Sequence, residues 1–169
     1  MASNNASRPD QLVLADVLAT EALGANLARL WLDLPLDSRP ILLLEGDLGA
    51  GKTSLVQGLA AGLGIAEPIT SPTFALAQHY SGQRDDTPTQ LVHLDLYRLE
   101  QPAAADELFA QEQEEAQSLG ALLAVEWPGR LSAVPQDVWL LQLTLANPAD
   151  PEAGRRARFS GPGLTPAAS

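Results

Sequence analysis

A short apolar run that opens directly into a glycine-rich turn constrains this chain more than any other feature. Ile41-Leu42-Leu43-Leu44 has no polar residue to turn toward solvent. That is the pattern of a strand buried on both faces of a parallel sheet. It leads into Gly46-Asp47-Leu48-Gly49-Ala50-Gly51-Lys52-Thr53, which matches G-x-x-x-x-G-K-[ST] at every fixed position. From Lys52 to about Leu63 the composition is helical, with Gly62 and Gly64 as stop signals. Strand, glycine loop and helix in that order predict an α/β domain whose helix N-terminus faces an anion.

The loop predicts its own ligand class. Glycines let the backbone of Asp47, Leu48, Gly49, Ala50 and Gly51 wrap phosphate oxygens with N–H groups inward, and the helix start through Ser54 adds its dipole. Lys52 is the only lysine among ten cationic residues; the others are all arginine. A lysine here carries a compact ammonium on a flexible stem to the β- and γ-phosphates, and the Thr53 hydroxyl is suited to Mg²⁺.

Periodicity predicts a helix over 20–34, where Leu23, Leu27, Leu30 and Leu34 form one stripe, starting at Thr20-Glu21 and stopped by Pro35. Further strands are predicted at 74–80, 91–96, 121–126, 138–145 and 156–160, and an exposed polar turn at 81–90. A helix is predicted at 103–118, with Asp106, Glu107, Glu112, Glu114 and Glu115 on its outer face. Strand and helix alternate early, and strands follow one another late. The expected fold is therefore α/β, a mixed sheet with a parallel core extended by antiparallel strands. One domain at 11–160 is expected between a flexible lead-in at 1–10 and a disordered Gly/Pro/Ala tail at 161–169.

Phosphoryl transfer needs a carboxylate for the metal and a group that orients the attacking water. Two predicted strands end in acids, Leu91-Val92-His93-Leu94-Asp95 and Ala121-Leu122-Leu123-Ala124-Val125-Glu126. Ligands of open α/β sheets lie beyond the carboxyl ends of strands, so Asp95 and Glu126 are candidates for these roles. Plainer readings are an Asp95–Arg98 surface pair and a Glu126 turn residue before Trp127-Pro128-Gly129. In Thr70-Ser71-Pro72-Thr73-Phe74, the hydroxyls are placed to sense a γ-phosphate, although a plain turn is the default. His79 and His93 read as structural, because no triad spacing surrounds them.

Composition excludes several classes. Without cysteine there are no disulfides, zinc thiolates or thiol catalysis. There is no apolar stretch of about 18 residues, so no membrane helix is expected. The first ten residues lack a signal-peptide core, so a cytoplasmic protein is expected. A net charge of -11 argues against gripping nucleic acid directly and suits docking on a basic partner. The one basic cluster, Arg155, Arg156 and Arg158, reads as a solvated strand face. GTP is disfavoured, because the only lysine is already committed and no Asn-Lys-x-Asp motif exists.

Four segments together resemble the TsaE (YjeE) family: the loop through Ser54, Thr70-Ser71-Pro72-Thr73-Phe74, His93-Leu94-Asp95-Leu96-Tyr97-Arg98-Leu99, and Val125-Glu126-Trp127-Pro128. The resemblance covers 20–159. It implies a P-loop NTPase-like three-layer fold and a subunit that binds and slowly hydrolyses ATP with Mg²⁺. That subunit works with TsaB and TsaD in making N6-threonylcarbamoyladenosine at position 37 of tRNAs that read codons starting with A. In this family the subunit is not the transferase; the acidic charge of this chain suggests that tRNA is reached through the complex. Carried over by motif, Lys52 holds phosphates, Thr53 ligates Mg²⁺, Asp95 takes the Walker-B position, Glu126 sits by the metal or water with Trp127 beside it, and Thr73 occupies the switch-like loop. Thr20, before Leu23-Gly24, matches a threonine near the nucleotide. Ser54 stands where a second threonine is common, and the helix after Leu108 lacks the family's Glu-Tyr pattern. The alternatives are a P-loop small-molecule kinase and a non-catalytic ATP-dependent switch.

Overall fold

A computed structural model describes residues 11–70 and 76–163. The expectations for 1–10, for Thr73 and for 164–169 lie outside the described residues. Apart from two short 3-10 helices, the described residues form, in order, β1 (Gln11–Leu14), α1 (Val17–Asp33), β2 (Leu42–Glu45), α2 (Lys52–Gly62), β3 (Ala77–Arg84), β4 (Thr87–Asp95), α3 (Pro102–Leu119), β5 (Leu122–Glu126), β6 (Trp139–Leu145) and β7 (Arg155–Ser160). The strands form one seven-stranded sheet ordered β1-β7-β6-β2-β5-β4-β3. β6, β2, β5 and β4 are parallel neighbours. The remaining pairings, β3 on β4, β7 on β6 and β1 on β7, are antiparallel. This is the expected mixed sheet with a parallel core.

Side-chain alternation divides the core into two layers. Leu42 and Leu44 of β2 pack with Leu27 and Trp31 of α1 and Leu55 and Leu59 of α2, whereas Leu43 joins Phe109 and Ala116 of α3 on the other face. The same split runs through β5: Leu122 and Ala124 face α1 and α2, and Leu123 and Val125 face α3. Helices on both faces explain why β2 has no polar position before its last residue.

Helices α1 and α2 meet through small residues. A Cβ on Gly58 would lie 2.0 Å from the Glu21 carbonyl oxygen, and one on Gly62 would lie 2.7 Å from the Ala28 Cβ. Gly62 is thus an α2 residue that permits close approach, and Gly64, at φ +76°, is the glycine that ends the helix.

Four expectations are corrected. α1 begins earlier than Thr20: the Asp16 carboxylate caps it by accepting from the Ala19 N–H at 2.8 Å. The polar stretch 81–90 is mostly paired as a β3–β4 hairpin, its turn confined to Asp85-Asp86, both at positive φ (49° and 65°). β3 is an edge strand with mostly solvated side chains, so its polar composition hides its pairing. Glu112 is buried at the α3–β3 contact, 2.8 Å from His79 Nε2, instead of lying on the outer face. Residues 161–163 of the anticipated tail sit by β6, where Trp139 Nε1 donates to the Pro162 carbonyl at 2.8 Å.

Candidate nucleotide-binding site

The loop between β2 and α2 takes the shape its glycines allow. Gly49 and Gly51 adopt φ of 84° and 104°, the left-handed region that side chains disfavour. Gly51 is the N-cap of α2 and supplies no side-chain cap. The first helical N–H with a backbone partner is that of Leu55, which donates to the Gly51 carbonyl at 3.0 Å. The amides of Lys52, Thr53 and Ser54 precede the helical ladder and are free for an external acceptor. A Cβ on Gly49 would meet nothing within 4 Å, so that side of the loop opens into space.

That space is a cavity of about 450 Å³. Leu48, Gly49, Gly51, Lys52, Thr53 and Ser54 form one wall, and Asp95, Glu126 and Trp127 form another. Parallel pairing brings these walls together. β5 places Glu126 beside Leu44 of β2 on one side and beside Asp95 of β4 on the other. Alternation then selects the face: Leu91 and Leu122 point into the layer shared with α2, so His93, Asp95 and Glu126 share that face by period two.

Lys52 is 6% exposed, and its ammonium donates to the Gly46 carbonyl. It stands 3.9 Å from Glu126 Oε1 and 4.3 Å from the centre of the Trp127 ring. Burial lowers its pKa below the ordinary lysine value, and Glu126, Asp95 and Asp47 partly offset the shift. Burial likewise raises Asp95 above the ordinary carboxylate range; the Tyr97 N–H, donating at 2.9 Å, acts in the opposite direction, and Glu126 adds to the rise. The other Glu126 oxygen receives a 2.5 Å hydrogen bond from His93 Nε2. His93 is fully buried, and its Nδ1 has no partner among the described residues. Trp127 sits at φ 59° and ψ 50°, a conformation that costs a bulky residue about 1–3 kcal/mol and gathers at functional sites. The strained backbone lays its ring against Tyr97, 4.8 Å between centroids, and over Lys52.

The sequence candidates separate into groups. Lys52, Thr53, Ser54, Leu48, Gly49, Gly51, Asp95, Glu126 and Trp127 line the one cavity. Asp47 and Ala50 line a different pocket, on the far side of the loop. Thr20, 2% exposed, lines an adjoining pocket of about 270 Å³, shared with Gly51, Ser54 and Arg155. Sequence reasoning missed Arg155, Tyr97 and the contact of His93 with Glu126. Arg155 reaches the loop from β7, donating to the Ala50 carbonyl at 3.1 Å and the Gly49 carbonyl at 3.0 Å. Strand alternation held its signal: Arg156 and Arg158 are exposed, whereas Arg155 shares parity with buried Ala157.

No three carboxylate, imidazole or thiol side chains gather as a metal cage among the described residues. The arrangement instead offers one hydroxyl and two strand-end carboxylates beside an uncapped helix start. Mg²⁺ characteristically takes one or two carboxylates and completes its shell with phosphates and water, so these residues fit a magnesium-bound nucleotide. Among the described residues, no helix is long and apolar enough to cross a membrane.

A family model described as threonylcarbamoyl adenosine biosynthesis protein TsaE matches residues 14–156. The tRNA threonylcarbamoyladenosine biosynthesis protein TsaE of a Synechocystis strain is 46% identical over 127 residues, 74% of each chain. Its counterpart in a Nostoc strain is 38% identical over 150 residues, 89% of this chain and 85% of the relative. The crystal structure of Bacillus subtilis YdiB superposes with a TM-score of 0.54 at 24% identity, over 89% of this chain and 84% of that one, and shares the fold. With the match running from β1 into β7 and relatives aligned over most of their length, the chain belongs to the TsaE family of tRNA threonylcarbamoyladenosine biosynthesis.

Proposed function

We propose that this chain binds ATP with Mg²⁺ in the cavity between the glycine loop and the ends of β4 and β5, and hydrolyses it slowly. It would do so as the ATPase subunit that keeps a TsaB–TsaD threonylcarbamoyl transferase complex cycling, without transferring the carbamoyl group itself. The convergence of Lys52, Asp95, Glu126 and Trp127 on one uncapped helix start carries this reading.

The loop amides and the Lys52 ammonium would bind phosphate oxygens through charge-assisted bonds, which are stronger than bonds between neutral groups. Lys52 is stored on the Gly46 carbonyl and needs only a rotation of its stem to serve a phosphate. Thr53, Asp95 and Glu126 would hold Mg²⁺, which when bound spreads the charge of the transferring phosphoryl group. Glu126 has one oxygen fixed by His93, which leaves the other, facing Lys52, to orient a water. Trp127 and Tyr97 form an aromatic wall that limits solvent access. The pocket at Thr20 adjoins the loop at Gly51 and would take the nucleoside. Cytoplasmic placement, and access to tRNA through the complex alone, follow from the same reading.

Calorimetric titration of ATP into the wild-type protein and Lys52→Ala tests the site. The variant should show no productive binding, and normal affinity there would sink the assignment. ATP turnover measured with and without TsaB, TsaD and tRNA tests the role. Partners should stimulate it; no stimulation would favour a kinase or a stand-alone switch.

A further inference from the structure

We infer that Arg155 is a positioning residue that locks the phosphate loop into its anion-binding shape before any nucleotide arrives. Its guanidinium donates to four backbone carbonyls: Gly49 (3.0 Å) and Ala50 (3.1 Å) of the loop, and Pro151 (2.5 Å) and Gly154 (3.0 Å) of the segment leading into β7. These bonds tie the glycine loop to residues more than a hundred positions away, on the antiparallel extension of the sheet.

Peptide geometry shows what the tie does. In a trans peptide the C=O of one residue and the N–H of the next point in opposite directions. Holding the Gly49 and Ala50 carbonyls toward Arg155 turns the N–H groups of Ala50 and Gly51 away from it. The Ala50 N–H closes the loop on the Asp47 carbonyl at 3.0 Å, and Gly51 lines the phosphate cavity. Gly49 and Gly51 are the flexible points of this loop, with φ of 84° and 104°, so their peptide planes need an external restraint. Arg155 supplies it. The guanidinium is a rigid fork of five donors and can grip carbonyls on two segments at once; a lysine ammonium cannot span them in a fixed plane. Arg155 also borders both the phosphate cavity and the pocket at Thr20, together with Gly51 and Ser54.

The inference rests on the nucleotide-site reading for its functional meaning, but its structural content can be measured without nucleotide. In wild-type protein free of ligand, the amide resonances of Gly49, Ala50 and Gly51 should be sharp. In Arg155→Lys, which keeps the charge and loses the fork, they should broaden or shift, while that of Ala157 stays in place. ADP affinity should fall roughly tenfold, because the ligand must then order the loop itself, and binding is weakened by whatever that ordering costs. Loop resonances of Arg155→Lys that superpose on wild type, or unchanged ADP affinity, would overturn the inference. A wild-type protein that binds neither ADP nor ATP would end the nucleotide-site reading and leave the resonance comparison intact. Should Arg155→Ala fail to fold, Arg155→Lys and Arg155→Gln still decide the matter.

Discussion

Two histidine–glutamate contacts in this chain provide an internal comparison of what burial does to one kind of bond. His93 Nε2 meets Glu126 at 2.5 Å with side-chain exposures of 0% and 5%, and His79 Nε2 meets Glu112 at 2.8 Å with exposures of 41% and 11%. Replacing either histidine by leucine removes the donor at roughly constant volume, so cavity terms stay small. For His93→Leu a buried carboxylate oxygen loses its hydrogen bond and water cannot replace it, a loss of about 3 kcal/mol for a bond to a charged group. Lys52 does not make up the loss, because it stands 3.9 Å from the other oxygen. For His79→Leu water takes over the freed group, and the loss is about 0.5 kcal/mol. At about 2–4 °C per kcal/mol for a chain of this size, the melting temperatures should fall by roughly 9 °C and 2 °C. Urea unfolding at constant m-value measures both. A second variant sharpens the test: Glu126→Gln in the His93→Leu background should show a coupling of about 1–3 kcal/mol, because the two side chains act as one unit. Equal losses for the two leucine variants would refute the argument that burial makes the His93 contact strong.

Two further outcomes follow from the geometry. Gly58→Ala should destabilise the protein by about 3 kcal/mol in denaturant unfolding, because the new Cβ would lie 2.0 Å from the Glu21 carbonyl and the overpacking outweighs a helix-propensity gain of about 1 kcal/mol; a neutral or stabilising result would refute the close approach of α1 and α2. Asp95 is held above the ordinary carboxylate value of 3.8, so between that pH and its folded value the native state binds more protons than the unfolded chain, and its contribution to stability is lost as pH rises. Asp95→Asn should therefore raise the melting temperature of the nucleotide-free protein at pH 7 while ATP turnover is lost, and a lower melting temperature would reverse the sign of the argument.

What was legible in the sequence was what local chemistry dictates. The β2–loop–α2 unit is specified by residues that touch one another, and its pattern survives any tertiary context. The two acids at strand ends were legible because each closes an apolar-rich run: Glu126 is the only polar residue of β5, and Asp95 ends the run 91–95, which carries only one other polar residue, His93. β1 was not, since it is a four-residue edge strand whose side chains are mostly solvated and carry no strong alternation. The β3–β4 hairpin was hidden for a related reason: its turn residues, Asp85-Asp86, lack the glycine that usually marks such a turn, and Pro88 suggested a break. The buried role of Glu112 depends on His79, which arrives from a separate strand. Arg155 depends on a contact 106 residues distant, and nothing in a run of three arginines near positions 155–158 marks one as the inward member except the parity of its neighbours.

That parity matters more widely, because the packing of this sheet and the assembly of its site are set by one choice of phase. Leu91 and Leu122 face α1 and α2, while Val92 and Leu123 face α3. The same alternation, carried to the ends of β4 and β5, puts His93, Asp95 and Glu126 on the side where Lys52 begins its helix. A slip of one residue in β5 would exchange Glu126 with Val125, sending the carboxylate to the α3 layer and leaving Lys52 facing an apolar side chain. It would also expose the β5 core residues to the wrong partners, and five consecutive buried positions make such a slip prohibitively costly. The apolar core therefore enforces the register that the chemistry requires. A substitution that weakens β5 packing far from the cavity should act on the site through Glu126 and His93, before it acts on the fold as a whole.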